Sequence, residues 1–162
     1  MSVKLRKMTS KEFDAFYEYS INNHASELMK EMDISFDEAL SQTEVEVQGM
    51  LPDKMNTKDN SLMVIEDTSD NRNVGFIWYL YEVTDGEQQI FLCDFIIDEA
   101  ERKKGYATEA LSVMERNAIE DGCKESVLFV AKENESAQKL YAKCGYIFLR
   151  ELDDGMYLKK KL

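Results

Sequence analysis

The segment from Ile97 to Thr108 joins a predicted buried strand to a predicted helix, and its residue types suit phosphate binding. Main-chain N–H groups at a helix start have no partner within the helix, and the helix dipole adds partial positive charge there. Gly105 allows a ligand to approach the backbone closely, and Ala107 carries almost no side chain. Three consecutive cations, Arg102 to Lys104, precede the glycine in a chain of net charge −12. The pattern predicts a diphosphate site; a plain basic loop before a surface helix is the alternative.

From Arg102 to Ala107 the sequence reads Arg-Lys-Lys-Gly-Tyr-Ala, which lacks the glycine patterns of a P-loop and of a dinucleotide fingerprint. It resembles the Arg/Gln-x-x-Gly-x-Gly/Ala motif of the GNAT superfamily of N-acetyltransferases. Further along, Asn134 to Tyr146 resembles that family's next helix and the strand after it, and the order of predicted elements is similar across nearly the whole chain. Many relatives carry a proline where this chain has Glu99 and an aromatic residue where it has Glu101. We expect the extra carboxylate to weaken phosphate binding slightly.

The resemblance implies that acetyl-CoA is the cofactor. In this family the diphosphate sits on the backbone of the first motif, here Arg102, Lys103, Lys104, Gly105, Tyr106, Ala107 and Thr108. The pantetheine arm lies along the preceding strand, here Phe95, Ile96 and Ile97, at a wedge between the fourth and fifth strands. Asn134 matches a position whose side chain contacts this arm, and Tyr141 matches the tyrosine that points at the thioester sulfur.

Tyr141 is the candidate general acid. Attack of a neutral amine on the thioester needs hydrogen-bond donors for the carbonyl oxygen, which strand N–H groups near Ile96 are expected to supply. The departing thiolate needs a proton, and a tyrosine of reference pKa about 10 can give one to a thiolate of pKa about 8.5 in a dry site. Tyr141 also shares a helical stripe with Ala137 and Leu140, so core packing is the alternative role.

No motif identifies the general base. Asp94 lies inside a predicted strand and Glu82 at the end of the strand before it. Either carboxylate could accept the amine proton through water, and a solvated or paired carboxylate is the alternative for each. His24 lies on the apolar stripe of the first predicted helix, in the region where relatives wall the acceptor cleft. It is a candidate for substrate contact or for proton removal near neutral pH, with a structural histidine as the alternative.

The composition excludes several classes of protein. Acidic residues number 32 against 20 basic ones, which disfavours a duplex nucleic-acid binder, since such proteins normally show a basic face. The longest apolar run, Phe76 to Tyr81, is far shorter than the roughly 20 residues that a membrane span needs. Three widely spaced cysteines and one histidine indicate neither a disulfide framework nor a metal site. We expect a cytoplasmic protein with a single domain, residues 1–162.

The hydrophobic pattern predicts the elements that hold these residues. Capping boxes at Thr9–Glu12 and Ser35–Glu38 open two helices, and Gly49 and Pro52 end the second. Strands are predicted at 3–8, 61–66, 74–81, 89–97, 126–131, 146–150 and 155–159, and two later helices begin near Gly105 and Asn134. The fold class is α/β, with helices on both faces of a mixed sheet. The resemblance implies a GNAT-type, mostly antiparallel central sheet of about six to seven strands flanked by about four helices.

The sequence therefore predicts an acetyl-CoA-dependent N-acetyltransferase that acts on a primary amine. No cysteine or serine has a recognisable nucleophile setting, so we expect direct transfer in a ternary complex. The acidic balance favours a cationic acceptor, either a small molecule such as a polyamine or aminoglycoside, or a lysine or N-terminus of a peptide. The alternative function is an acyl-CoA-binding sensor or interaction module without turnover. The acyl-chain length and the oligomeric state, monomer or homodimer, stay open at this point.

Overall fold

Residues 2–162, which the computed structural model describes, form one mixed sheet of seven strands in the order β1-β2-β3-β4-β5-β7-β6. The strands are β1 (Val3–Lys7), β2 (Asn60–Asp67), β3 (Arg72–Thr84), β4 (Glu87–Ile97), β5 (Glu125–Ala131), β6 (Ile147–Glu151) and β7 (Gly155–Lys161). The helices are α1 (Ser10–Met32), α2 (Phe36–Met50), α3 (Tyr106–Glu120) and α4 (Glu135–Lys143), with short 3₁₀ turns at Lys54–Asn56 and Glu99–Glu101. Neighbouring strands are antiparallel except β4 and β5. The predicted fold class and element order are confirmed.

Helices cover both faces of the sheet because each presents an apolar stripe. On one face, α1 and α2 bury Phe13, Phe16 and Val47 against Leu62 and Trp78. On the other face, α3 and α4 pack on the sheet through Ala110, Leu111, Met114 and Tyr141, which contribute to one core with Ile77, Ile90 and Leu128. Burying a large apolar side chain contributes about 1.5–3 kcal/mol, so these contacts hold the three layers together. No helix within residues 2–162 has the length and apolarity needed to cross a membrane.

Side-chain caps fix the starts of the first two helices. The Thr9 hydroxyl accepts from the Glu12 N–H at 3.2 Å, and the Glu12 carboxylate accepts from the Thr9 N–H at 2.9 Å. This is the complete capping box that the sequence predicts. Ser35 caps α2 by accepting from the Glu38 N–H at 3.2 Å. Both helices therefore begin where the sequence places them.

Several strand boundaries differ from the prediction by one to three residues. The β3–β4 hairpin extends to a two-residue turn, since its register continues to the Thr84–Glu87 pair. Tyr146 was expected to open the next strand but precedes β6. Its buried hydroxyl shares a hydrogen bond of 2.6 Å with Ser126, so the side chain is held inside the core. Gly145, with φ of +96°, makes the turn from α4 into this position.

β4 and β5 pair over only part of their lengths. Their parallel pairing runs from Gln89–Glu125 to Leu92–Leu128 and ends there, although both strands continue. Cys93 is an extra residue in the β3–β4 register, a bulge that bends β4 at the same place. The opening between residues 93–97 of β4 and 129–131 of β5 is called the wedge below. It leaves one edge of β4 without a neighbouring strand.

Candidate active site

The alternation of the β3–β4 ladder decides which main-chain groups face the wedge. The Asp98 N–H donates to the Val74 carbonyl at 2.9 Å, so the main-chain groups of Ile96 also point to β3. Those of Phe95 and Ile97 point to the wedge instead. The donor that we expected near Ile96 therefore belongs to one of its neighbours.

Two of the wedge-facing main-chain groups already form hydrogen bonds within the protein. The Ile97 carbonyl accepts from Arg102 Nε at 2.9 Å, and the Phe95 N–H donates to Asp94 Oδ1 at 3.0 Å. The N–H of Ile97 has no acceptor within residues 2–162. It is thus the donor at this edge that a bound carbonyl group can use.

The loop before α3 carries a run of main-chain N–H groups that lack protein acceptors. Lys103 and Gly105 have φ of +62° and +90°, and no side chain caps the helix. Among residues 2–162 we find no acceptor for the N–H groups from Lys103 to Thr108. Left-handed residues in such loops turn successive N–H groups toward one side, and the helix dipole adds positive charge. The geometry suits an anion such as a pyrophosphate.

Two side chains of this loop brace it from within. Arg102 ties the loop to the end of β4 through its bond to the Ile97 carbonyl. Tyr106 is 4% exposed, and its hydroxyl donates to Asp67 at the end of β2. That bond is the largest of the effects that lower the pKa of Asp67 to about 2, so the carboxylate is ionised at neutral pH. Tyr106 therefore has only its main chain to offer the cofactor.

Glu101 is paired with two cations inside the protein. Its carboxylate is buried and forms ion pairs with Arg72 and, at 3.1 Å, with Lys104 Nζ. The charge is balanced inside the protein, which removes the reason for weaker phosphate binding. The Lys104 ammonium is held in its ion pair with Glu101. Lys103 is exposed and forms no ion pair within residues 2–162. The Lys103 ammonium and the N–H run fit the two negative charges of a pyrophosphate.

α4 brings Tyr141 to the wedge. Asn134 caps this helix, because its Oδ1 accepts from the Ala137 N–H at 3.1 Å. Its amide Nδ2 is the part of the side chain left for the cofactor contact that the resemblance implies. Gln138 ties the helix to the end of β5 by donating to the Ala131 carbonyl at 3.0 Å. The position of Tyr141 is therefore set by both the cap and this bond.

Tyr141 packs in the core, and its hydroxyl is not used there. The side chain is 8% exposed and packs edge-on against the Tyr146 ring at a centroid distance of 5.7 Å. The Tyr146 hydroxyl bonds to Ser126, but within residues 2–162 the Tyr141 hydroxyl has no such partner. Burial first, and then the charge of Asp94, raise the pKa of Tyr141. The phenol therefore holds its proton at neutral pH.

The Asp94 carboxylate accepts hydrogen bonds from residues of both α1 and β4. Ser20 Oγ donates to Asp94 Oδ2 at 2.9 Å, and the Phe95 N–H donates to Oδ1. His24 Nε2 lies 3.6 Å from the same Oδ2. Ser20 and His24 are one helical turn apart, so one face of α1 presents both to the carboxylate. The structure thus brings together His24 and Asp94, two residues that the sequence suggested separately.

His24 is half-exposed and its pKa is raised. The largest cause is the interaction with Asp94, which outweighs desolvation, and Glu27 and Glu46 act in the same direction. Nδ1 lies 3.9 Å from Glu27 Oε2. A histidine with a raised pKa becomes a stronger base once it has lost its proton. The pair can therefore take a proton from a bound ammonium at a pH above the pKa of His24.

Glu82 forms no hydrogen bond or ion pair with His24, Asp94 or Tyr141 within residues 2–162. Its Oε1 accepts from Gln89 Nε2 at 2.5 Å, toward the turn between β3 and β4. Gln89 lies five residues before Asp94, about 16 Å along the strand. The Cys93 thiol beside Asp94 is half-buried, and desolvation, with Asp94 and Glu82, raises its pKa. It is therefore a neutral thiol at physiological pH.

Carboxylates from three segments lie on the outer side of the cluster. Glu27 and Glu31 belong to α1, Glu133 precedes α4, and Asp154 lies between β6 and β7. The pKa of Glu31 is raised, first by desolvation and then by the charges of Asp154, Glu27 and Glu133. The charges that act on Glu31 come from segments that the fold brings into one region. We call these four residues the acidic rim.

The sequence reasoning missed several of these residues. Ser20 carried a signal, since it lies between Tyr17 and Ile21 on the predicted apolar stripe, and a buried hydroxyl needs a partner. The acidic rim had no comparable signal in the sequence. Glu31 and Asp154 are far apart in the chain, and only the fold places them side by side.

Comparison with known proteins agrees with this geometry. Residues 21–146 match the model of the acetyltransferase (GNAT) family. YdgE of Bacillus subtilis, an uncharacterized N-acetyltransferase, is 30% identical over 146 residues, which cover 90% of this chain and 92% of YdgE. The crystal structure of the B. subtilis acetyltransferase YycN is 26% identical, with a TM-score of 0.85 over 93% of this chain and 96% of that one. PaiA N-acetyltransferase of Thermoplasma acidophilum, solved with coenzyme A, shares the fold over 100% of both chains, with 16% identity and a TM-score of 0.69.

A sheet that opens between β4 and β5 beside an anion-binding helix start defines an acetyltransferase of the GNAT type. The match over most of the sequence shows that this chain belongs to the GNAT family. The protein is an N-acetyltransferase, as the sequence predicted.

Proposed function

We propose that this N-acetyltransferase uses acetyl-CoA and transfers the acetyl group directly to the primary amine of a cationic small molecule or peptide. One observation carries the proposal. The N–H run at residues 103–108 and the cluster of Tyr141, Asp94 and His24 lie at the two ends of the open edge of β4. The edge formed by Phe95, Ile96 and Ile97 connects an anion site to a site for proton transfer.

Acetyl-CoA, when bound, supplies the acetyl thioester. We assign its pyrophosphate to the main chain of residues 103–108, with Lys103 as the exposed cation and Arg102 and Lys104 holding the loop in shape. We assign its arm to the wedge-facing edge of Phe95–Ile97 and to Asn134 Nδ2. These residues bind and orient acetyl-CoA. They do so mainly through N–H groups whose positions the fold has already fixed.

The His24–Asp94 pair is proposed to remove the proton of the acceptor ammonium. Asp94 is held in position by hydrogen bonds from the Ser20 hydroxyl and the Phe95 N–H. Its charge keeps the pKa of His24 above its ordinary value of about 6.5. A base with a raised pKa matches an amine better, because the difference in proton affinity between the two is smaller.

Tyr141 is proposed to give a proton to the leaving sulfur. Its hydroxyl holds its proton, lies near Asp94 and has no competing partner within residues 2–162. General acid catalysis of this kind typically contributes about 10²–10⁴-fold in rate.

Direct transfer is supported by the state of the cysteine nearest the cluster. The raised pKa of Cys93 keeps it as a thiol, which is a poor nucleophile. Cys93, Cys123 and Cys144 are all free thiols, which also fits the cytoplasmic location that we propose.

The acidic rim supports a cationic acceptor. Glu27, Glu31, Glu133 and Asp154 lie outside the His24–Asp94 pair, where the part of an acceptor that does not react would lie. Carboxylates at a cleft mouth raise the local concentration of cations and speed their binding, with an effect that falls as salt rises. A polyamine, a cationic antibiotic amine and a lysine-containing peptide all meet this requirement.

The proposal is tested by following thiol release from acetyl-CoA with a panel of amines. The panel holds a polyamine, an aminoglycoside, a lysine peptide, a peptide N-terminus and, as a matched control, a neutral amino sugar. We expect release with at least one cationic amine, and a kcat/KM that falls as salt rises. Release with the neutral amine alone would contradict the cationic acceptor. CoA binding in calorimetry with no release from any amine would support instead the alternative of an acyl-CoA-binding sensor.

A further inference from the structure

The end of the β2–β3 hairpin contacts the start of α3 and the loop before it at two points. Asp67, the last residue of β2, accepts a hydrogen bond from the Tyr106 hydroxyl. Arg72, the first residue of β3, forms an ion pair with Glu101. Asp67 and Arg72 are partners in the β2–β3 register, so both contacts come from one place in the sheet. Both carboxylates are buried, with Asp67 7% and Glu101 8% exposed.

The two contacts lie on either side of the left-handed part of the loop. Glu101 precedes this part and Tyr106 follows it, and between them Lys103 and Gly105 have φ of +62° and +90°. A non-glycine residue such as Lys103 seldom keeps a left-handed conformation unless the surrounding structure imposes it. Together with the bond from Arg102 to β4, the hairpin contacts hold both ends of this short segment.

The Asp67 carboxylate uses both of its oxygens. Its Oδ1 accepts from the Ser69 N–H at 2.8 Å and from the Ser69 hydroxyl at 2.7 Å, whereas Oδ2 accepts from Tyr106. Hydrogen bonds to an ionised carboxylate are stronger than those between neutral groups. The hairpin turn therefore fixes Asp67, and Asp67 in turn fixes the first residue of α3.

The Glu101 carboxylate bridges the hairpin and the loop in a similar way. Oε1 faces Arg72, and Oε2 accepts from Lys104 Nζ at 3.1 Å. Glu101 thus joins β3 to both the 3₁₀ turn and the residue just before Gly105. Hydrogen-bond donors that are already in place bind a ligand more tightly, because the ligand does not have to order them.

We propose that Asp67 and Arg72 are positioning residues for the cofactor. Through Tyr106 and Glu101 they hold the N–H groups of residues 103–108 in the arrangement that accepts a pyrophosphate. This inference rests on the proposed function, which assigns the pyrophosphate of acetyl-CoA to these N–H groups. Because the hairpin acts through the loop, its loss should weaken only ligands that carry the pyrophosphate. Pantetheine, which lacks it, is the matched ligand.

The experiment measures the binding of CoA by calorimetry and of pantetheine by NMR titration, so it needs no amine acceptor. We expect Tyr106→Phe, which changes no charge, to weaken CoA binding about tenfold and to leave pantetheine binding as in the wild type. Tyr146→Phe is the matched control, since it also removes a buried hydroxyl that forms a hydrogen bond, here with Ser126. It should bind both ligands as the wild type does.

Arg72→Gln tests the second contact at a more exposed position. The Arg72 side chain is 47% exposed, so this variant should fold even if Tyr106→Phe does not. We expect CoA binding to weaken about threefold, with pantetheine binding unchanged. Arg72→Lys should restore most of the CoA affinity, because lysine keeps the charge and can still pair with Glu101.

The outcomes separate this inference from the proposed function. Wild-type protein that binds CoA no more tightly than pantetheine would contradict the pyrophosphate site itself, and the inference with it. A wild-type preference for CoA that persists in full in both Tyr106→Phe and Arg72→Gln would overturn only the positioning role. Equal losses for CoA and pantetheine, or the same loss of CoA binding in Tyr146→Phe, would also overturn it, because general destabilisation would then explain the result.

Discussion

The proposed anion-binding loop and the proposed proton-transfer cluster lie at the two ends of one strand edge and differ in how they are built. The loop is continuous in sequence, and its chemistry belongs to the main chain of residues 103–108. The cluster is built from α1, β4 and α4, and its chemistry belongs to the side chains of His24, Asp94 and Tyr141. A change of backbone conformation should therefore damage the first, and loss of single atoms the second.

The largest effect is expected from Gly105→Asp. The substitution places a side chain at φ of +90° and a negative charge at the anion site. We expect CoA affinity in calorimetry to fall by about 100-fold or more, which is close to 3 kcal/mol.

Gly86→Asp is the matched control for this loss. Gly86 has φ of +79° in the β3–β4 turn, and a Cβ added there would meet nothing within 4 Å, so the variant adds a similar strain and charge away from the site. CoA affinity should be unchanged there. Equal loss in both variants would mean that strain, and not the anion site, explains the result.

Tyr141→Phe removes one oxygen from the cluster. The hydroxyl has no partner within residues 2–162, so the free energy of unfolding should change little. We expect kcat to fall about 100-fold with CoA affinity retained, because only the proton donor is lost.

Tyr146→Phe should show the reverse pattern. Its hydroxyl bonds to Ser126 in the core, so its loss should cost about 1–2 kcal/mol of stability and leave kcat nearly intact. Normal turnover in Tyr141→Phe would contradict the proposed role of Tyr141 as general acid.

Asp94→Asn should shift the pH profile of kcat/KM. His24 must be neutral to accept a proton, and Asp94 raises its pKa, so the wild-type acid limb should lie above about pH 6.5. Removing the charge lowers the pKa of His24, which moves this limb to lower pH, and we expect kcat to fall about tenfold as the base weakens. His24→Gln should abolish the limb. If the acid limb of Asp94→Asn stayed at the wild-type pH, Asp94 would not be the group that raises the pKa of His24.

The same contact has a consequence for stability. A raised folded-state pKa stabilises the fold below the unfolded value of about 6.5, and this contribution is lost as pH rises through the folded pKa. Thermal unfolding should therefore show Asp94→Asn more destabilised at about pH 5.5 than at about pH 8.5.

Ser20→Ala should give the smallest change. Asp94 loses one of its two hydrogen-bond donors but keeps the Phe95 N–H. We expect kcat to fall only a few-fold and stability to fall by about 1 kcal/mol. A loss as large as that of Asp94→Asn would mean that the Ser20 bond itself fixes the carboxylate.

The sequence predicted what depends on neighbours in the chain. Thr9, Ser35, Gly105 and Asn134 mark helix starts through local hydrogen bonds or backbone freedom, and the structure has all four helices there. It also predicted His24 and Asp94 as separate candidates, but not their contact. That contact depends on how α1 lies over β4, a distance in sequence of 70 residues.

The wedge is approached by residues from both helix layers. His24 and Ser20 reach it from the layer of α1 and α2, whereas residues 103–108 and Tyr141 reach it from the layer of α3 and α4. With the proposed sites, acetyl-CoA and the amine would reach the wedge from opposite faces of the sheet, so neither would cover the exit of the other.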